Sequence, residues 1–164
     1  MRKKNILFLA ITVLVVLLDQ LSKAWILATL RFHEGFPLID GFFNIVHMRN
    51  PGAAFGFLAA APPLFRHIFF IAVTLAAILL ILHYLRVSRI EAPSLVSALA
   101  LILAGAVGNL IDRVRFGEVV DFLDVYIGSY HWPAFNVADS AITVGAAILM
   151  MVLLMRRKER TEGN

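Results

Sequence analysis

The residues able to do chemistry in this chain of 164 residues are few, and they gather near the ends of long apolar runs. Asp19 and Lys23 stand four apart late in the first run. Asn109, Asp112 and Arg113 close the third, Asn136 and Asp139 open the fourth, and Asp121 lies between those two groups. Serine chemistry is poorly served, because Ser22 and Lys23 are neighbours and a helix turns them onto different faces. None of the five histidines has metal-ligand spacing with another, and there is no H-E-x-x-H. With no cysteine, thiol nucleophiles, thiolate metal sites and disulfides are excluded. Carboxylates remain. Two aspartates converging on one water can share a proton, the ionised one taking a proton from the water while the neutral one polarises a scissile carbonyl. Such a pair titrates as a coupled unit. Spacing alone does not choose the pair among Asp19, Asp112, Asp121, Asp124 and Asp139.

The elements that must position these groups are membrane spans. The hydrophobic fraction is 60%, charged residues make up 16%, and the mean hydropathy is +0.84, far from a soluble average. Four runs approach the roughly 20 residues a helix needs to cross about 30 Å of hydrocarbon. They cover about residues 6–30, 67–85, 94–111 and 136–155. The expected fold class is an all-α polytopic membrane protein, a single integral domain over 1–164. Four transmembrane helices would carry a small, partly β, extracytoplasmic cap and an interfacial helix.

The net charge of +4 does not point to nucleic acid, because the cations flank apolar runs instead of forming a stripe. Arg2, Lys3 and Lys4 precede the first span, Arg86 and Arg89 lie between the second and third, and Arg156, Arg157, Lys158 and Arg160 follow the fourth. The positive-inside rule then puts both termini in the cytoplasm and the loops of about 31–66 and 112–135 outside. The basic start and the run from Ile6 to Leu18 imitate a secretory signal. Asp19, Gln20, Ser22 and Lys23 interrupt it where small residues would be wanted, so it reads as a retained first helix. In the outer loops, Phe42–Met48 and Gly117–Tyr126 favour extended structure, Asn50-Pro51-Gly52 is a turn signal, and Ala53–Phe65 suits an interfacial helix. His33, His47 and His131 read as interfacial loop residues, His67 and His83 as span boundaries.

With this topology the polar residues meet at the outer face. Asp19 lies about 20 Å along the first helix from Ile6, and Lys23 follows at i+4 on the same face. A simple ion pair explains those two as well as a site does, since charges inside membranes are normally paired. Asn109, Asp112 and Arg113 share one helical face, with Gly105 and Gly108 on nearly that face allowing another helix to approach. Helix capping accounts for Asn136 and less well for Asp139. Asp121, alone in an apolar run, has simple exposure to water as its structural explanation.

Five blocks appear in order: Asp19-Gln20-Leu21-Ser22-Lys23, Asn50-Pro51-Gly52-Ala53-Ala54-Phe55, Gly105 to Arg113 (GAVGNLIDR), Val119-Val120-Asp121-Phe122 and Phe135-Asn136-Val137-Ala138-Asp139-Ser140. As a set, spanning about Asp19 to Gly145, they resemble the lipoprotein signal peptidase family, signal peptidase II of bacteria. The resemblance implies an intramembrane aspartic endopeptidase in the bacterial cytoplasmic (inner) membrane. Such an enzyme removes signal peptides from prolipoproteins just before a cysteine already carrying diacylglycerol. It implies Asp121 and Asp139 as the catalytic pair, and Asn50, Gly52, Asn109, Asp112, Arg113 and Asn136 as positioning and substrate-contacting residues. Asp19 and Lys23 would support the outer wall. Asp124 falls outside that pattern and reads as a loop residue. Globomycin-type lipopeptides inhibit such enzymes, and Phe42, Phe43 and Phe55 are candidates to close over a bound peptide. No metal, nucleotide or other cofactor is called for.

Two other classes compete. A small ion or proton transporter would use the carboxylates as cation carriers, although such sites usually sit near the midplane between repeated halves and neither feature is visible here. A non-catalytic assembly factor would use the polar set only to hold helices together.

Overall fold

Four long apolar helices carry a small sheet at one end, in a computed structural model that describes residues 3–52, 58, 60–88 and 92–162, with side chains up to Met155. The helices are α1 (Lys3–Thr29), α2 (Pro63–Val87), α3 (Pro93–Phe116) and α4 (Val137–Glu162). All four are long and apolar enough to cross a membrane. The strands are β1 (Gly35–Ile39), β2 (Phe43–Asn50), β3 (Val119–Ile127) and β4 (Tyr130–His131). They form one antiparallel sheet in the order β1-β2-β3-β4.

Each helix starts and stops for a local reason. Pro63 and Pro93 open α2 and α3 at a position where a missing N–H costs nothing. Gly117 ends α3 at φ 78°, its N–H bonded to the Arg113 carbonyl at 3.0 Å, a conformation glycine adopts freely. Asn136 precedes α4 and caps it, its Oδ1 accepting the Asp139 N–H at 2.9 Å.

The helices extend beyond the spans read from hydropathy. The second begins at Pro63, not near His67, so Pro63–Phe65 belong to α2 and not to an interfacial helix. The rest of the expected interfacial helix falls largely on residues 53–57 and 59, outside the described residues. The third helix continues through Asp112 and Arg113 to Phe116. A helix runs past the apolar stretch where its polar end finds protein partners in place of lipid.

α3 is the central helix, packed against α1, α2 and α4. Its alanines and glycines permit this. A Cβ on Gly105 would collide with the Ala138 carbonyl of α4, and one on Gly108 would lie 2.5 Å from Asp19 Oδ2 of α1. α1 buries Asp19, Lys23 and Ile26, one stripe at i, i+4 and i+7, and exposes Leu9, Val13, Leu14, Leu17, Leu18 and Leu21. Charge inside and leucine outside is the arrangement expected of a helix in lipid. One apolar cluster, Ile81, Leu95, Val96, Leu99 and Leu103, fills the end of the bundle away from the sheet. A second, Ile26, Val120 and Phe122 with Val137 packed on it, fastens the sheet to α1 and α4.

The sheet stitches the two loops together. β2, from the loop after α1, pairs with β3, from the loop after α3, in a register running from Phe43↔Val125 to Asn50↔Val119. A bulge between Ile45 and Met48 re-aims the last residues of β2. Both predicted extended segments are therefore strands, while β1 and β4 add to them. Asp124, expected in a loop, lies in β3 and is buried. It accepts from Asn44 Nδ2 at 2.8 Å and pairs with His131 Nδ1 at 2.9 Å. His47 is likewise a buried β2 residue, its Nδ1 donating to the Leu30 carbonyl at 3.0 Å. That bond ties the sheet to the exit of α1, where a helix leaves carbonyls without partners.

Candidate active site

Where the sheet meets the helix ends, three asparagines face two carboxyl groups. Asp121 comes from β3, whose first four residues are all buried. Asp139 comes from the first turn of α4. Asn136 joins them: its Nδ2 donates to Asp121 Oδ1 at 2.7 Å, and its Oδ1 accepts from the Asp139 N–H. Asn50, at the end of β2, donates to Asp121 Oδ2 at 3.0 Å. Asn109, on α3, donates to Asp139 Oδ1 at 2.7 Å.

Each carboxamide has a fixed orientation because its oxygen is held by a group that can only donate. Asn50 Oδ1 takes the Gly52 N–H at 3.0 Å, Asn136 Oδ1 takes the Asp139 N–H, and Asn109 Oδ1 takes the Lys23 ammonium at 3.0 Å. The three amide nitrogens are thereby left pointing at the two acids. Arg113 reinforces the first of these contacts. Its guanidinium donates to the Gly52 carbonyl at 3.1 Å and lies 5.0 Å from the Phe70 ring centroid of α2. The Asn50–Gly52 turn is held from below as well as within itself.

Behind the pair lies a buried charge cluster. Lys23 Nζ sits 2.8 Å from Asp19 Oδ2 and 2.9 Å from Asp112 Oδ2, all three residues being at most 2% exposed. Asp19 Oδ1 accepts the Ala138 N–H of α4, and Asp112 Oδ2 accepts the Val120 N–H of β3. Gln20 Nε2 reaches Asp19, Asp112 and the Gly108 carbonyl at 3.1–3.2 Å. One ammonium and one amide thus hold α1, α3, α4 and β3 in register. Such a cluster tolerates burial only because every oxygen has a donor.

The surroundings of Asp121 favour its protonated form. Burial raises its carboxyl from the ordinary 3.8 to about 7, the negative charge of Asp139 adds to the rise, and the Asn50 and Asn136 bonds and Lys23 oppose it. A group near neutrality can hold a proton or release one at little cost, which is what acid–base chemistry asks of it.

Comparison with known proteins fits this geometry. The family model described as signal peptidase (SPase) II matches residues 11–155. The chain belongs to the signal peptidase II family. It is 57% identical over 161 residues to the lipoprotein signal peptidase of Syntrophus aciditrophicus, covering 98% of this chain and 100% of that one. It is 49% identical over 148 residues to that of Desulforapulum autotrophicum, covering 90% and 91%. A bacterial membrane enzyme solved by the in meso method superposes with a TM-score of 0.84 at 36% identity, over 93% of this chain and 90% of that one. A second superposes at 0.81 and 35% identity, over 90% and 92%. As a signal peptidase II, the chain is a peptidase built on four apolar helices.

The structure brings together Asn50, Gly52, Asn109, Asp112, Arg113, Asp121, Asn136 and Asp139, the residues predicted for the site, with Asp19 and Lys23 directly behind. The water-facing alternative for Asp121 does not hold, since it is 2% exposed. Capping and site contact are both true of Asn136, whose two ends do one each. Gln20 has a larger part than its place in the first block indicated. Its i, i+3 relation to Lys23 was the available signal, because it puts an amide near the same stripe of α1. Phe42 and Phe43 stand at the far end of β2 from Asn50, about 20 Å along the strand, so they can meet only a distal part of a bound chain. Phe55 lies outside the described residues.

Proposed function

We propose that this peptidase is an intramembrane aspartic endopeptidase of the bacterial cytoplasmic membrane, with Asp121 and Asp139 as its catalytic pair. Its substrates are diacylglyceryl-modified prolipoproteins, cut just before the lipidated cysteine. The observation that carries the reading is that one side chain, Asn136, bonds both residues, donating to the buried Asp121 carboxyl and accepting the Asp139 N–H, while Asn109 donates to the half-buried Asp139 carboxyl. The name lipoprotein signal peptidase borne by its relatives supports the substrate class.

The pair works with one shared proton. The ionised member takes a proton from water as the water oxygen attacks the scissile carbonyl carbon, and the neutral member gives its proton to the carbonyl oxygen. A neutral tetrahedral diol results. Return of a proton to the peptide nitrogen, with a diol proton going back to the pair, breaks the C–N bond and releases acid and amine. The amide nitrogens of Asn50, Asn109 and Asn136 keep the carboxyls in place, so little reorganisation is needed at the moment of reaction. Asn50, Gly52 and Arg113 form the wall on the β2 side, where an extended peptide would lie. The site's place at the sheet end of the bundle suits a substrate whose acyl chains stay in the bilayer, and globomycin-type lipopeptides would occupy the same place. Both termini are cytoplasmic and the sheet is outside in this reading.

The test is cleavage of a diacylglyceryl-modified precursor and its unlipidated twin by the purified protein. Release of the signal segment from the first alone is expected. Asp121→Asn and Asp139→Asn should each abolish it in protein that still folds and inserts. Full activity in either variant would rule out the pair.

A further inference from the structure

Among the described residues, the three asparagines that face the aspartyl pair are held in two ways, and Asn109 stands apart from the other two. Asn50 and Asn136 are oriented by backbone N–H groups, of Gly52 and Asp139. Asn109 is oriented by a side chain that carries a full charge. We propose that Lys23 is a positioning residue for the aspartyl pair, turning the Asn109 amide toward Asp139 and keeping a positive charge behind both acids. The proposal rests on Asp121 and Asp139 being the pair.

The geometry leaves Asn109 no second orientation. An ammonium has only donors, so the atom 3.0 Å from Lys23 Nζ must be the carboxamide oxygen, and Asn136 Nδ2 donates to that same oxygen at 3.2 Å. The other end, Nδ2, then meets Asp139 Oδ1 at 2.7 Å. Without the ammonium only the longer Asn136 bond, at 3.2 Å, holds that oxygen, and the amide is freer to move away from Asp139. Lys23 itself cannot drift, because Asp19 and Asp112 hold it at 2.8 and 2.9 Å and Gln20 bridges those two acids. The cluster is more than an ion pair making two charges tolerable, since the third bond of the ammonium goes to the side chain that touches the pair.

The charge has its own effect. The charged groups around the pair are Lys23 and Asp19 from α1, Asp112 and Arg113 from α3, Asp139 from α4 and Asp121 from β3. Within this set the Lys23 charge favours ionised Asp121. Loss of that charge raises the proton affinity of the pair, so both limbs of a bell-shaped rate profile must move to higher pH.

The experiment uses the full-length protein in lipid and the diacylglyceryl-modified precursor. Lys23→Met alone would leave Asp19 and Asp112 facing each other, so the working variant is Lys23→Met with Asp19→Asn. It removes one charge of each sign and keeps an oxygen for the Ala138 N–H. Expected are a kcat lowered about tenfold, KM within about twofold, and both pH limbs raised, by less than loss of the ammonium alone would give because the opposing Asp19 charge goes with it. Asn109→Ala is the second variant. It leaves the pairs of Lys23 with Asp19 and Asp112 in place, so its folding does not depend on the first, and it should lower kcat and raise both limbs in the same direction. A purely structural role would change only the yield or thermal stability of folded protein. Limbs unmoved in every variant that folds would overturn the proposal, as would wild-type kcat in Asn109→Ala. Asp121→Asn and Asp139→Asn run alongside: if they cleave, the aspartyl pair itself is wrong, and if they are dead while the limbs stay put, only the role of Lys23 falls.

Discussion

Asparagine is the residue that holds the two aspartates of the proposed pair. It supplies a strong donor without a charge, so it can stabilise an anion without extinguishing its basicity, as a salt bridge would. The consequence is measurable at Asp121. Its carboxyl is raised to about 7 by burial and by Asp139, so between about pH 4 and pH 7 the folded protein holds a proton that the unfolded chain has lost. Stability therefore falls as pH rises through that window. We expect the melting temperature of the detergent-solubilised protein to decline between pH 5 and pH 8, and the decline to be smaller in Asp121→Asn. A slope of the opposite sign, or one unchanged by the substitution, would contradict the environment described for this residue. Cleavage should also fade on the alkaline side near pH 7, where the shared proton departs.

At the scale of elements, the site depends on how closely α3 approaches its neighbours. Gly105 touches the backbone of α4 at Ala138, which immediately precedes Asp139. A methyl group there cannot be absorbed by a rotamer change, because what it meets is a carbonyl. Gly105→Ala should cost about 1–3 kcal/mol by overpacking and lower cleavage further by parting Asn109 from Asp139, checked by melting and turnover of the same preparation. Asp124→Asn is the contrast. Asp124 secures Asn44 and His131 on the far side of the sheet, away from the asparagine-lined acids, and Asn keeps an acceptor for Asn44. Turnover within about twofold of the parent is expected, with at most about 1 kcal/mol lost. A dead Asp124→Asn would mean that the chemistry had been placed on the wrong residue of β3.

At the scale of the molecule, the sheet decides that the two loops lie together. β2 and β3 come from different loops and pair over much of their length, so both loops share one side of any membrane the helices cross. In the proposed topology that side is outside, opposite the cationic flanks of the helices. The chain has no cysteine, so single-cysteine reporters give a clean check. A membrane-impermeant maleimide added to intact spheroplasts should label Ser129→Cys, in the exposed turn between β3 and β4, and should spare Ser88→Cys beyond α2 until the membrane is opened. The reverse pattern would invert the topology.

Hydropathy and charge placement alone determined four spans, and with them the gathering of Asp19, Asn109, Asp112, Arg113, Asn136 and Asp139 at one end, because helix rise and membrane thickness leave little choice. Motif order carried the family. Periodicity did not reveal that Asp121 is buried, since an aspartate in a short extended run looks the same whether it meets water or protein. Nor did it reveal that Asp112, placed on the helical face at the end of the third span, is buried there by Lys23 and Val120 from other elements. Those contacts are made across long separations in sequence, and only packing decides which donor each carboxyl receives. The pairing of Asp121 with Asn136 and Asn50, and of Asp139 with Asn109, belongs to the tertiary structure for that reason.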